Sequence, residues 1–517
     1  PALTPTPAPR PPAPAPATAQ PRYGGILTQD IPADAPSLDV HQETTTSMLI
    51  PVGPAYNGLL QYDPIEGSKV IPDLAERWEA SPDGQAYTFH LHKGVKWHDG
   101  KPFTAEDARY SLERIIHPPK GMNSPRAEVF PMVDKIEKVD DYTLRVTLKY
   151  RSASFLNILA NAWILMVPKH VVEEKGDMKK VVVGTGPFKF QDYTRGVSTT
   201  LVKNPDYFLK DRPYLDGIIN YIIKDSGAAF AALRTQRILT KYRGVSPAEA
   251  AILKEKTPQI VLQEKPGMTF PAYAMNLRRK PFDDVRVRRA ASLAIDRRAG
   301  IQVLGEGAGA VAGPMPPTNI YAMSEAELAP FPGYGPNMEA RIAEAKKLLA
   351  EAGYPNGIKG LRHVVRAYPG HSELAIFLKD QLAKVGIDIN LVILESAAAY
   401  AATIKGDFDS YSWQRLAALD DPDVVFGELY ITGSPRNYEG YSNPKLDELY
   451  QKQARTLDIA QRKAIVLEMQ KILLEDNPKL QVFYMTAAAA FWPEVRDYQV
   501  PANNYENKKL QDVWLAR

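Results

Sequence analysis

The chain has 517 residues, with 63 Lys and Arg against 60 Asp and Glu and no cysteine. That length exceeds one ordinary core, so two or three lobes are expected. A formal charge of +3 without a long basic run argues against nucleic acid, and the missing cysteines exclude disulfides, thiolate metal sites and Cys nucleophiles.

Residues 1–21, "PALTPTPAPRPPAPAPATAQP", have no apolar periodicity to bury and read as a disordered, extended Pro/Ala-rich spacer. The spacer is either a tether behind a removed export segment or a dispensable terminus. "YGGILTQDI" is the first strand. In 88–115, "TFHLHKGVKWHDGKPFTAEDARYSLERI", Tyr87, Phe89 and Leu91 alternate with Thr88, His90 and His92, the period of a half-buried strand. A metal site there would need further ligands, and the chain has no His-Glu-x-x-His, so these histidines read as solvated strand residues and His98 as a turn residue. Thr104 is placed to cap a helix running through Tyr110, Leu112 and Ile115. "YTLRVTLKY" and "LDGIINYIIKD" read as strands. The apolar stretch Phe155 to Val167 is broken by Asn157 and Asn161 and is too short to cross a bilayer.

Asp283 or Asp284 caps "VRVRRAASLAID". "GEGAGAVAGPMPP" (305–317) follows a helix-like stretch and runs into prolines, so it reads as a flexible loop and not as a dinucleotide fingerprint. "EARIAEAKKLLAEAG" and "SELAIFLKDQLAKVG" are helices ending at Gly353 and Gly386, followed by the strand "IDINLVIL" and a helix from Ala397 to Ile404. This alternation predicts an α/β lobe with a mainly parallel sheet. "NPKLDELYQKQAR" and "AQRKAIVLEMQKILLED" add two late helices. Neither a Gly-x-Ser-x-Gly elbow nor a Walker loop is present, and adjacent carboxylates such as Asp283-Asp284 and Asp420-Asp421 do not define a glycosidase pair. No catalytic constellation emerges, and no cofactor is expected.

In this order, "YGGILTQD", "YNGLLQYDP", "DLAERWEASPDGQAYTFHLHKGVKWHDGKPFTAEDARYSLERI", "VGTGPFKF", "NPDYF", "PFDDVRVRRAASLAIDR", "AKKLLAEAGYPNG" and "LDDPDVVF" resemble the family 5 extracellular solute-binding proteins of ABC importers, the peptide, dipeptide and nickel receptor group. The resemblance spans 22 to about 485. It implies an α/β, two-lobed periplasmic-binding-protein clamshell, type II-like, with an extra subdomain on lobe I. Lobe I would combine 22–60, 184–268 and 484–517, the accessory subdomain would be 61–183, and lobe II 269–483. It further implies a non-enzymatic, monomeric, periplasmic receptor that closes on a solute about a hinge and delivers it to membrane permease subunits.

Peptide-binding members carry an aspartate three residues before the acidic–Pro pair, where it holds the peptide ammonium, and commonly an aromatic three positions earlier. In "SYSWQRLAALDDPDVVF", Asp421-Pro422 as that pair puts Ala418 in the aspartate's place and Arg415 in the aromatic's. An ammonium buried without a carboxylate is costly, whereas an arginine favours a carboxylate. This register favours an organic acid or opine-like solute over a di- or oligopeptide. A two-residue shift makes Trp413 the family aromatic and leaves Arg415 to solvent or to Asp420. Thr45, Thr46 and Ser47, before "YNGLL", and Asn161 and Trp163 complete the ligand-binding candidates, Trp163 being equally placed as ordinary core. Asn276 reads as a hydrogen-bonding residue of the hinge strand.

Overall fold

The computed structural model describes residues 20–516, except 65–68, 243, 369, 416–419, 435 and 501–508. The spacer expected at 1–21 therefore lies outside the described residues but for its last two positions.

Four sheets carry the architecture. Ile26–Ile31 pairs in parallel with Gly217–Ile222, which continues antiparallel to Ser198–Lys203 and then Phe188–Thr194. Leu27 and Ile31 are fully buried in its core, as the alternation in "ILTQDI" requires. A separate antiparallel sheet runs Ala75–Ala80, Ala86–Leu91, Thr143–Leu148, Val133–Asp140. Tyr87, Phe89 and Leu91 face its core, while His90 and His92 lie half-buried opposite Glu79 and Glu76. The helix Ala105–Ile116 packs on this sheet; Thr104 and Asp107 form its capping box.

The largest sheet has five strands, in the order Ile387–Leu394, Ile358–Arg366, Ser410–Arg415, Phe270–Met275, Lys479–Gln481. It is more mixed than the helix–strand alternation predicts: two pairings are parallel, and Phe270–Met275 is antiparallel to both of its neighbours. The reason is connectivity. The chain enters this sheet along 270–275 and leaves it along 479–481, and those two strands are not part of a strand–helix–strand unit. They continue directly from and into Val261–Pro266 and Tyr484–Phe491, which pair with each other in a third sheet. Two adjacent crossings thus join two bodies of structure. Gly309–Ala310, inside the stretch expected to be a flexible loop, adds a short strand to that third sheet, and a Cβ at Gly309 would meet the Phe483 ring at 2.6 Å.

Helices fall where the apolar spacing places them: Met338–Glu351, His371–Ala383, Ser396–Lys405, Pro444–Ala454 and Ile459–Asp476. Asp284, not Asp283, caps Val285–Ala294. The glycines of "VGTGPFKF" mark a backbone crossing. Gly186 N donates to Ala55 O at 2.9 Å, and a Cβ at Gly184 would lie 1.8 Å from that same oxygen.

Candidate functional site

Most of the sequence candidates fall in two clusters, one in loops and at the start of the helix Thr46–Val52, the other on the strand Ser410–Arg415. One surrounds Trp163. Asn161 turns its side-chain oxygen to the Trp163 amide at 3.0 Å, which fixes the loop, and the indole is buried. Arg126, which the sequence reading did not single out, lays its guanidinium over the indole, 4.1 Å from the ring centre, and donates to the Glu43 carbonyl. That contact brings in 45–47. Thr45 is the N-cap of Thr46–Val52, yet its hydroxyl makes no capping bond and is buried without a partner. Glu43 serves the backbone instead, accepting from the Thr44 and Thr45 amides at 2.8 and 3.1 Å. Ser47 is buried in the helix and Thr46 half-buried. Nothing in "GMNSPRAEVF" points to Arg126, because it sits in irregular chain with no period to read.

The second cluster lies on Ser410–Arg415. Trp413 is stacked on Tyr400 at 5.7 Å, Tyr400 and Tyr438 join their hydroxyls at 2.9 Å, and the Trp413 indole nitrogen is buried without a partner. Arg415, 3% exposed, sits 5.1–5.5 Å from the rings of Tyr411, Trp413 and Tyr438. Its charge is balanced within the fold. Nη2 lies 3.3 Å from Glu439 Oε1, and Tyr411 bridges the two by accepting from Arg415 and donating to Glu439. Lys479 Nζ approaches the other Glu439 oxygen at 3.4 Å. Glu439 and Lys479 are both about 1% exposed. Burial holds the Lys479 ammonium down at about 7, against the opposing pull of Glu439. Arg415 is thus neither solvent-facing nor paired with Asp420. Its partner is Glu439, 24 residues away. Strand register alone does not bring Arg415 and Lys479 together: Arg415 lies opposite Phe270 and Lys479 opposite Ala274, and their long side chains converge on Glu439, which Leu277 N holds beside the end of the shared strand through the Glu439 carbonyl.

Asp420 stands apart from both clusters. It is half-buried, accepts from Asn319 Nδ2 at 2.7 Å, and has no cation within ion-pair distance among the described residues. Burial, with the neighbouring Asp421 charge, pushes its carboxyl up to about 6 despite the Asn319 bond. Ala418 lies outside the described residues. Asp421 itself is spent on structure, paired twice with Arg462 at 2.7 and 3.0 Å. Asn157 and the chain at Ala153 reach from the subdomain side to this region, Asn157 Nδ2 to Asp421 Oδ2 at 2.7 Å and Ala153 N to Ala454 O at 2.8 Å.

The histidines do not form a site. His98 bonds the Gly186 carbonyl at 3.0 Å and burial pushes it down to about 4, so it pins a turn rather than facing solvent. Among the described residues no cluster of His, Asp and Glu could hold a metal. Asn276 donates to the carbonyls of Gly406 and Phe408 at 3.1 and 3.0 Å and does the hydrogen-bonding work expected of it. No helix among the described residues is long and apolar enough to cross a membrane.

Two bodies joined by two adjacent crossings, each with polar and aromatic side chains gathered on it, are the arrangement expected of a solute-binding receptor. Comparison with known proteins agrees. Bacterial extracellular solute-binding proteins, family 5 Middle, match residues 69–436. Heme-binding protein A of Haemophilus influenzae is 31% identical, the match covering 86% of this chain and 84% of that protein. The glutathione-binding protein GsiB of Pectobacterium atrosepticum is also 31% identical, over 82% and 81%. The structure of the periplasmic binding protein DppA from Helicobacter pylori, in complex with the peptide STSA, superposes with a TM-score of 0.77 at 29% identity, covering 96% and 99%. This chain belongs to the family 5 extracellular solute-binding proteins. It has their two-lobed α/β fold and is an extracytoplasmic solute-binding receptor of an ABC importer, not an enzyme.

Proposed function

We propose that this receptor captures short peptides or peptide-like solutes such as glutathione in the periplasm and passes them to its permease. The observation that carries this reading is Asp420: a half-buried carboxylate without a cation partner among the described residues, two residues from the position where peptide-binding members keep their ammonium anchor. Such a group is costly until a cation arrives, and a peptide ammonium supplies one. The pairing of Arg415 with Glu439 supports the same reading, because it removes the free cation on which a preference for organic acids would rest. The names of relatives that bind glutathione or peptides support it independently.

We assign lobe I to 22–60, 184–268 and 484–517, its accessory subdomain to 61–183 and lobe II to 269–483. The four-stranded sheet of 26–222, the antiparallel sheet of 75–148 and the five-stranded sheet of 270–481 support that division. The protein acts as a monomer, and ligand is held between the lobes by hinge closure.

The test is calorimetric binding of di- and tripeptides, glutathione and small organic acids to ligand-stripped protein, with each peptide also offered N-acetylated. Peptides with a free amine should bind, and Asp420→Asn should weaken them by about 10- to 100-fold while leaving the acetylated forms unchanged. Binding of organic acids alone overturns the reading.

A further inference from the structure

Arg297 and Arg341, both in the stretch assigned to lobe II, donate to neutral oxygens and have no carboxylate in ion-pair contact among the described residues. Arg297 opens the helix Arg297–Leu304 and is 4% exposed. Its Nη1 donates to the Gly333 carbonyl at 2.8 Å and its Nη2 to Ser292 Oγ at 3.2 Å, while the guanidinium lies 4.1 Å from the centre of the Tyr334 ring. Its Nε is buried without a hydrogen-bond partner. Arg341, in the first turn of Met338–Glu351, gives one bond from each nitrogen, to the carbonyls of Leu293, Gly335 and Ile295, which leaves one N–H on each Nη. The Leu293 and Ile295 carbonyls belong to the C-terminal end of Val285–Ala294, where a cation is favoured, but a helix end carries only about half a charge. Carbonyl oxygens satisfy the donors without neutralising two guanidiniums. Burial and the Arg297 charge push Arg341 down to about 10, with Asp296 opposing.

Both arginines line one cavity of about 370 Å³, together with Arg298, Asp296 and Glu325. The two carboxylates are already engaged. Asp296 caps Arg297–Leu304 through the Arg298 and Ala299 amides at 3.1 and 3.0 Å, and Glu325 pairs with Arg298 at 2.6 Å. Three guanidiniums therefore border the cavity with two carboxylates. The first turns of two helices, Arg297–Leu304 and Met338–Glu351, border it as well, and their positive ends add to the surplus. None of the solute-binding candidates lines this space. We propose that the cavity is a second ligand site, for a small doubly charged oxyanion of the phosphate or phosphate-ester class. Arg341 donates its two spare N–H groups to the oxygens, and Arg297 supplies the second charge from behind. The volume falls within the range of small-molecule pockets, roughly 300–1,000 Å³, so the organic part of an ester fits beside the phosphate.

The experiment is calorimetric titration of the full chain with inorganic phosphate, pyrophosphate, phenyl phosphate and acetate at constant ionic strength. The phosphates should bind at least about 10-fold more tightly than acetate, and Arg341→Gln should weaken them by about 10- to 100-fold, the loss expected for hydrogen bonds to a charged group. Ala326→Glu keeps every arginine and puts a carboxylate on an exposed position that lines the cavity. It should fold as the wild type does and lose phosphate binding, so it decides the question even where Arg341→Gln fails to fold. Phenyl phosphate tighter than inorganic phosphate identifies an ester as the occupant, the reverse identifies the free ion, and either supports the site. Phosphates that bind no more tightly than acetate overturn the proposal. So does phosphate binding that survives unchanged in Ala326→Glu, because the anion then sits elsewhere.

Discussion

Replacing Glu439 by Gln tests the charge layout of lobe II most directly. Glu439 is the only carboxylate in ion-pair contact with Arg415 and Lys479 among the described residues, and all three are almost wholly buried. In Glu439→Gln, Lys479 escapes by giving up its proton, since its ammonium already sits near 7 and loses the partner that held it there. Arg415 cannot follow, because a guanidinium stays charged at any accessible pH. Removing one partner of a buried pair costs roughly 3–5 kcal/mol. The Tyr411 oxygen and the three rings around Arg415 hold the value toward the lower end. In a lobe of some two hundred residues each kcal/mol moves the midpoint by about 2–4 °C, so a fall of roughly 6–20 °C is expected in scanning calorimetry. The double variant Glu439→Gln/Arg415→Met should recover much of that loss, since an apolar chain among Tyr411, Trp413 and Tyr438 has no charge to satisfy. A fall of under 2 °C, or a double variant no more stable than the single, would refute the argument that Glu439 neutralises Arg415.

The remaining predictions concern protonation and packing. Lys479 is held at about 7 when folded, while a free lysine lies near 10.4. Between those values the unfolded chain binds the extra proton, so this residue makes stability rise with pH across about 7–10 and costs most below 7. Denaturant midpoints measured at pH 7.5 and 9 should show that rise flattened in Lys479→Met; an equal rise in both proteins would exclude it. Asp420 must be ionised to hold an ammonium and is pushed up to about 6, so the affinity of free-amine peptides should drop as the pH falls through 6. N-acetylated peptides, or Asp420→Asn, should show a flat profile, which isolates this group from Asp423, itself pushed up to about 6 nearby. Gly184→Ala places a methyl 1.8 Å from Ala55 O and should cost roughly 3 kcal/mol in chemical denaturation, because backbone on both sides must shift.

Much of the fold was legible because its signals are local. The Thr104 cap, the helix ends at Gly353 and Gly386, and the alternation of Tyr87, Phe89 and Leu91 each need only a few neighbouring residues. Where the reading departs from the structure, a distant strand intervened. Gly309–Ala310 became a strand because Tyr484 and Met485 lie beside it, and the five-stranded sheet is mixed because the crossing strands enter it antiparallel. Nothing within thirty residues of either segment encodes those neighbours.

The site was less legible for the same reason, and the consequence reaches specificity. Arg415 was visible as a cation near the acidic–Pro pair, and from chain position alone a cation there favours an acid. Its net effect depends on Glu439 and Lys479, which are 24 and 64 residues further along the chain and meet it only through side-chain contacts in the folded sheet. A charge in a binding cleft selects a ligand only to the extent that the fold has left it uncompensated. By that criterion the conspicuous arginine of lobe II is already satisfied. By the same criterion the group to test is Asp420, whose side chain has Asn319 as its hydrogen-bond partner and no cation in ion-pair contact among the described residues. No motif marks it, and it becomes visible only when the partners of its neighbours are accounted for one by one.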